Sequence, residues 1–217
     1  MNEQLALWQI RLVALATAEA GSDGAHDITH LNRVWTNSMT LLSSHPEADG
    51  LVVLAACYMH DIVNLPKNHA ERHLASQYAA ALACERLMKA GFPADKMAAL
   101  SHAIEAHSFS AGIPPETIEA KIVQDADRLD ALGAVGLARL FYTAGHMGSA
   151  LAHPTDPLAL TRATDDQVYA LDHIEKKLAL LPASMQTEAG RKSGEVRLAW
   201  LRAFRDTFVA EWECRQH

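Results

Sequence analysis

The chain of 217 residues carries 19 basic and 26 acidic side chains, a formal charge of −7, with 49% hydrophobic and 21% charged residues. This length suits one large domain, and the composition excludes a disordered, collagenous or fibrous protein. The negative charge disfavours binding to nucleic acid polymers or to an anionic membrane, and the longest apolar run, residues 51–59, is too short to cross a bilayer. The few, unpatterned cysteines (Cys57, Cys84 and Cys214) are typical of a reducing compartment, so we expect a cytoplasmic protein.

Apolar periodicity and helix-breaking residues predict helices along the whole chain. The predicted helices, in chain order, cover about residues 5–20, 28–42, 48–63, 69–90, 94–107, 116–124, 128–142, 164–181 and 187–212. The segment 48–63 is apolar on all sides, which favours a central buried helix. No stretch alternates β-branched residues over the length of a strand, so the sequence predicts an all-α fold, a single bundle over residues 1–217.

Two features of the later half refine this prediction. Residues 164–167, Thr-Asp-Asp-Gln, have the form of a capping box and are expected to start the helix 164–181. The stretch 144–163 contains two glycines and two prolines and predicts a long loop. A loop of this length is either a lid over a binding site or a partly ordered excursion, and the sequence leaves both open.

The chemistry of the chain is concentrated in its histidines, of which eight of the twelve lie between His26 and His107. His60 and Asp61 come near the end of the most apolar helix, where burying an uncompensated imidazole and carboxylate is costly. A divalent cation would compensate both, and we favour His30 and Asp127, at the junction of two later helices, as its further ligands. Asp125 and Asp130 compete with Asp127 for that role, since each of the three could instead cap a helix or form a salt bridge at its start.

Two imidazoles and two carboxylates suit Mn²⁺, Fe²⁺, Co²⁺ or Ni²⁺ and tolerate Mg²⁺ or Zn²⁺. Four protein ligands leave open positions for a water and a substrate oxygen. Such a centre can hydrolyse a phosphate ester or a phosphate anhydride.

Three segments, His30-Leu31-Asn32-Arg33-Val34, Met59-His60-Asp61-Ile62-Val63 and Asp125-Ala126-Asp127-Arg128-Leu129-Asp130, resemble the H…HD…D signature of the HD-domain metal-dependent phosphohydrolases. Longer segments, among them EAHSFSAG and DADRLDALGAVGLARLF, are similar to the stand-alone YedJ/YpgQ-type subgroup, over nearly the whole chain. The resemblance implies an all-helical HD domain, with C-terminal helices packed on it, and one metal ion held by His30, His60, Asp61 and Asp127. It also implies hydrolysis of nucleotides, with release of pyrophosphate from nucleoside triphosphates in some relatives. Asn64 replaces the acidic pair of alarmone-type relatives, which argues against their reaction.

Residues around this signature have two interpretations each. His26 and Asp27 either orient His30 or form a helix cap beside a solvated side chain. Asp130 lies in the same aspartate cluster as Asp127, and we expect it to support the ligands from outside. Lys67 either reaches a phosphate on the metal or is an exposed lysine.

Basic residues and a further histidine complete the predicted site. Arg33 and Arg128 could clamp anionic oxygens, but pairing with Asp27 or Asp130 is the favoured interpretation. His107 is expected to line the site and donate a proton to the leaving group, with a satisfied surface histidine as the alternative.

His102, five residues before His107, could add a ligand for a second metal, although no complete second set is present in the sequence. Lys177 and Arg191 would bind phosphate if the C-terminal segment folds over the metal.

The sequence therefore predicts a divalent-metal-dependent phosphohydrolase that acts on a small phosphorylated molecule, with a nucleotide pyrophosphohydrolase as the leading hypothesis. Asp61 or Asp127 would steer the attacking water, and Lys67 or Arg128 would offset the charge on the phosphate. Two alternatives stay open. One is a 5′-nucleotide phosphomonoesterase, and the other is a non-catalytic, metal-stabilised helical module that senses a ligand.

Overall fold

The computed structural model describes residues 3–19, 27–63, 65, 69–108 and 111–214. The described residues form an all-α fold, as predicted, and contain no β-strand. They include an isolated backbone bridge between Ala150 and Tyr169. None of the described helices combines the length and the apolar character needed to cross a bilayer.

Residues 1–127 form one compact unit, the first unit, and residues 128–217 form a second unit. The helices that begin in the first unit are α1 (Glu3–Glu19), α2 (Ile28–Leu42), α3 (Gly50–Met59), α4 (Ala75–Lys89), α5 (Met97–His107) and α6 (Ile118–Asp130). Short 3-10 helices, Arg72–Leu74 and Ala94–Lys96, precede α4 and α5. The prediction of a single domain over residues 1–217 stays a prediction.

Helix α3 is the centre of the first unit. Its residues from Leu51 to Met59 are all buried, and it packs against α1, α2 and α5. The Asp49 side chain accepts hydrogen bonds from the backbone N–H groups of Leu51 and Val52 and so starts the helix. The prediction of a central buried helix is confirmed, but α3 is shorter than the predicted 48–63 because it ends just before His60.

Helix α6 corrects the prediction of a break between residues 124 and 128. The helix runs unbroken from Ile118 to Asp130, so Asp127 lies in its last turn and not at a junction. The chain turns instead at Ala131 and Leu132, and Gly133 begins the next helix with a φ of 74°, a conformation that favours glycine. The signal for the break was therefore Gly133, eight residues after Asp125.

The second unit contains α7 (Gly133–Met147), α8 (Asp172–Lys176), α9 (Leu181–Ser184) and α10 (Glu188–Trp212). Helix α10 packs against α7 and α9, and its bounds agree with the predicted 187–212. Thr187 caps α10 by accepting a hydrogen bond from the backbone N–H of Gly190.

The predicted helix 164–181 begins too early, because residues 166–171 form turns around the bridge residue Tyr169. Helix α8 has five residues, and a short 3-10 helix, Leu178–Leu180, follows it. The buried carboxylate of Asp172 accepts hydrogen bonds from the Arg162 guanidinium at 2.6 and 2.8 Å and from the backbone N–H of Asp165 at 2.6 Å. The polar residues that resembled a capping box thus belong to a loop held by an ion pair.

Candidate metal centre

His60 directly follows the buried helix α3 and is 1% exposed. Its Nδ1 lies 2.9 Å from the carbonyl oxygen of Cys57, three residues earlier. A carbonyl can only accept, so Nδ1 carries the proton and Nε2 presents a lone pair. Burial lowers the pKa of His60 to about 4, which keeps the imidazole neutral at pH 7 and able to bind a metal.

His107 repeats this arrangement at the end of α5. Its Nδ1 lies 2.6 Å from the carbonyl oxygen of Ile104, again three residues earlier, and its ring centroid is 4.7 Å from that of His60. Nε2 of His107 lies 3.7 Å from Oδ1 of Asp61. Burial disfavours the charged imidazole, but the Asp61 carboxylate outweighs this effect and raises the pKa of His107.

His30 lies in the first turn of α2 and is fully buried. Asp27 caps this helix: its Oδ1 accepts from the backbone N–H groups of Thr29 and His30, each at 3.0 Å. Nε2 of His30 lies 3.7 Å from Oδ2 of Asp61 and 3.5 Å from Oδ1 of Asp127. The cap thereby fixes the backbone that carries this imidazole.

The two carboxylates meet both imidazoles. Nε2 of His60 is 3.6 Å from Oδ2 of Asp61 and 3.9 Å from Oδ1 of Asp127. Burial would raise the pKa of Asp61, but His60 and His107 hold it well below its ordinary value. The Asp61 side chain is 21% exposed and the Asp127 side chain 29%, so the cluster is reached from its carboxylate side.

The donor cluster, His30, His60, Asp61, His107 and Asp127, belongs entirely to the first unit and fits a divalent cation. One donor atom from each of His30, His60 and Asp61 lies within 4.8 Å of the others, and the same holds for His60, His107 and Asp127. Within the described part of the chain, Nε2 of His60 is buried and has no hydrogen-bond partner. A cation among these donors would satisfy that atom, and nitrogen and carboxylate donors are those of a borderline divalent ion.

The structure places Asp27 as the helix cap that the sequence left as an alternative. Arg33 donates to Oγ1 of Thr29 at 3.0 Å, and its charge helps to lower the pKa of Asp27, with the Thr29 and His30 hydrogen bonds outweighing burial. His26 and Lys67 lie outside the described residues.

Four predicted residues lie in the second unit, where each has contacts of its own. Arg128 donates to the backbone oxygen and Oγ of Ser184, and Asp130 pairs with Arg139 at 2.7 Å. Arg191 donates to the backbone oxygens of residues 185 and 186, and Lys177 is exposed at the end of α8. Their roles toward phosphate stay predictions.

Sequence reasoning missed how closely His107 approaches the other donors. His107 was expected in the wall of the site, but its Nε2 lies among the donor atoms. The available signal was its position at the end of a predicted helix, which His60 shares. His102, considered above as a ligand for a second metal, lies outside the donor cluster. Its Nε2 accepts a hydrogen bond from the backbone N–H of Glu116 at 2.9 Å.

Comparisons with known proteins identify the family to which the chain belongs. The model of the HD-domain family matches residues 27–132, the range from the cap of α2 to the end of the turn after α6. The protein YpgQ of Bacillus subtilis (strain 168) is 30% identical over 199 residues, which cover 90% of this chain and 85% of YpgQ. The chain therefore belongs to the HD-domain family, among the stand-alone YpgQ-like proteins.

Solved structures share the fold. The crystal structure of Bacillus subtilis YpgQ in complex with ADP has a TM-score of 0.74 at 26% identity and covers 95% of this chain and 96% of that one. An HD-superfamily hydrolase from Bacillus thuringiensis has a TM-score of 0.73 at 25% identity, over 97% and 100% of the two chains. The fold is thus that of the HD-superfamily hydrolases, which are metal-dependent enzymes.

Proposed function

We propose that this chain is a divalent-metal-dependent phosphohydrolase that acts on a small phosphorylated molecule, with a nucleotide as the substrate class. The observation that carries the proposal is the donor cluster, in which buried imidazoles meet carboxylates that are 21% and 29% exposed. A purely structural metal site is closed by protein ligands, whereas a catalytic one keeps accessible positions. Exposure on the carboxylate side favours catalysis over the metal-stabilised sensing module.

The proposed ligands are His30, His60, Asp61 and Asp127. A divalent ion bound there supplies Lewis-acid polarisation of a phosphoryl oxygen and makes water more acidic. His60 contributes a neutral imidazole whose tautomer is fixed by the Cys57 carbonyl.

The remaining steps belong to the side chains at the open edge of the cluster. Asp61 or Asp127 would accept a hydrogen bond from the attacking water and orient it toward phosphorus. His107, whose protonated form is favoured by Asp61, would hold a proton on Nε2 for the leaving group. Lys67 or Arg128 would offset the charge on the phosphate, as the sequence predicts.

A nucleotide is the proposed substrate because YpgQ, a relative similar over 90% of this chain, was crystallised with ADP. The pyrophosphohydrolase and the 5′-nucleotide phosphomonoesterase differ in the product that they release. Purified protein with Mn²⁺ should be incubated with nucleoside mono-, di- and triphosphates, and phosphate and pyrophosphate measured separately. We expect pyrophosphate from a triphosphate; phosphate from a monophosphate would favour the monoesterase, and no release from any substrate would contradict a phosphohydrolase.

The residues of the site are tested by a matched pair of variants. His60→Ala should abolish both Mn²⁺ retention and hydrolysis, because it removes a buried donor atom. His102→Ala, on α5 but outside the donor cluster, should leave both near wild-type levels. Wild-type hydrolysis in His60→Ala would contradict the proposed site.

A further inference from the structure

The last turn of α5 is capped by side chains. The last four carbonyl groups of an α-helix have no partner within the helix, so a buried helix end needs donors from elsewhere. In α5 the carbonyl of Glu105 accepts from Oγ of Ser76 at 2.9 Å, and the carbonyl of Ala106 accepts from Nε2 of Gln124 at 2.7 Å. Together with the bond from His107 to Ile104, three consecutive carbonyl groups of this turn are fixed by side chains.

Gln124 joins two elements of the donor cluster. It is 3% exposed and lies on α6, three residues before Asp127 and hence on a similar face of the helix. The carbonyl that it binds belongs to the residue just before His107. A single side-chain amide thus connects the helix that carries Asp127 to the backbone that carries His107.

We infer that Gln124, with Ser76 beside it, is a positioning residue that holds His107 against the carboxylates of the donor cluster. The inference rests on the proposed metal site. Without the amide donor, the buried Ala106 carbonyl would lose this hydrogen bond, and the last turn of α5 would shift to regain one. The His107 ring ends that turn, so its Nε2 would move away from Asp61.

The first test uses metal-free protein and the isosteric variant Gln124→Met, which keeps the buried volume but has no donor. The control is Glu119→Ala, which also removes one bond from α6 to the backbone of another helix end, in this case the N–H of Asp49. Crystal structures should show His107 displaced in Gln124→Met, with its Nε2 more than about 1 Å further from Asp61 than the 3.7 Å of the native chain. They should show an unchanged His107 in Glu119→Ala, and an unmoved ring in Gln124→Met would overturn the inference.

The second test is a double-mutant cycle read out by Mn²⁺ affinity, which a merely structural role would not couple. His107 is not a proposed ligand, but its Nε2 contacts the ligand Asp61, so its displacement frees that carboxylate to move. Gln124→Met should therefore weaken Mn²⁺ binding about tenfold in the native chain. In a His107→Ala background the same substitution should change the affinity by less than about twofold, because its target is gone. An equal loss of Mn²⁺ affinity in both backgrounds would mean that Gln124 acts independently of His107. No loss of affinity in the native background would mean that Gln124 does not act on the site, and either result would refute the inference.

If Gln124→Met does not fold, Ser76→Ala serves in the same cycle, since it removes the adjacent bond and no bulk from the core. Coupling to His107→Ala supports the inference, and additive effects refute it. These readouts stay separate from the proposed function. Mn²⁺ binding without any hydrolysis would contradict the proposed function, but the double-mutant cycle would still test the role of Gln124. If the native chain binds no Mn²⁺, the position of His107 in the metal-free structures tests that role instead.

Discussion

His60 and His107 acquire different charge preferences although each bonds through Nδ1 to the carbonyl three residues earlier. Burial dominates at His60 and lowers its pKa to about 4, whereas the Asp61 carboxylate outweighs burial at His107 and raises its pKa. A neutral imidazole is suited to ligation and a protonated one to general-acid catalysis. The neutral imidazole agrees with the proposed role of His60 as a ligand, and the position of His107 beside Asp61 agrees with its proposed role as the proton donor.

Gly136, on α7, lies where no larger residue fits. A Cβ atom there would come within 2.2 Å of the backbone carbon and oxygen of Ala131. Because backbone cannot move aside as a flexible side chain does, we expect Gly136→Ala to lower the free energy of unfolding by about 3 kcal/mol or more. Urea denaturation measures this change.

The control for that prediction lies on the same helix. Around Gly145 a Cβ atom would meet nothing within 4 Å. Alanine is also the better helix former, so Gly145→Ala should be neutral or stabilise the protein by up to about 1 kcal/mol. If both variants lost the same free energy of unfolding, the close approach of Ala131 to Gly136 would not be the cause of the destabilisation.

At the scale of elements, the start of α3 depends on Asp49, which caps the helix and pairs with Lys96. Asp49→Ala should lower the free energy of unfolding by about 1 kcal/mol at pH 7. Asp49→Asn, which keeps a capping oxygen, should cost less. Urea denaturation of the three proteins gives both differences.

The contribution of the Asp49 carboxylate to the free energy of unfolding should depend on pH. Burial would raise the pKa of Asp49, but Lys96 and the capped N–H groups outweigh it and lower the pKa from 3.8. A lowered pKa in the folded state means that the unfolded chain binds the proton more readily, so the contribution is present above pH 3.8 and lost as the pH falls through the folded value. The difference in the free energy of unfolding between the native chain and Asp49→Ala should therefore become smaller as the pH is lowered. A difference that grows on acidification would contradict this account.

Helices with strong local signals were predictable from the sequence. Apolar periodicity and clear ends gave α2 and α10 nearly the bounds that the structure has. The break after α6 was misplaced because Asp125 and Asp127 resemble helix caps, while the turn depends on the left-handed conformation of Gly133. The loop before α8 was misread because its order comes from the tertiary pair of Arg162 and Asp172, which no local pattern reveals.

The sequence predicted four members of the donor cluster but not the contacts around the fifth, His107. The H…HD…D spacing pointed to His30, His60, Asp61 and Asp127, which the structure brings together. The approach of His107 and the Gln124 bond could not be predicted, because they depend on where the end of α5 meets α6. A glutamine in a helix carries no sequence signal that separates a buried bridge from a solvated side chain.

At the scale of the whole molecule, the relationship to YpgQ extends over 90% of the chain, whereas the HD-domain family model ends at residue 132. The second unit, from residue 128, is thus largely included in what this chain shares with YpgQ. Its basic residues Arg128, Lys177 and Arg191 remain the predicted phosphate contacts outside the donor cluster.

Metal binding should stabilise the folded protein, because the donor cluster joins side chains that are far apart in the sequence and come together only on folding. Mn²⁺ at one hundred times its Kd should add about 2.7 kcal/mol to the free energy of unfolding. For a chain of this size that corresponds to a rise in Tm of roughly 5 to 10 °C, reversed by EDTA. Thermal melts of the native chain and of His60→Ala measure it, and an equal rise in both would place the ion elsewhere.

The most direct measurement is anomalous diffraction from crystals of the native chain soaked with Mn²⁺. The account predicts one Mn²⁺ ion bound by Nε2 of His30 and His60 and by the carboxylates of Asp61 and Asp127, with water on the exposed carboxylate side. An ion found elsewhere, or one enclosed by protein ligands with no water, would contradict the proposed catalytic centre.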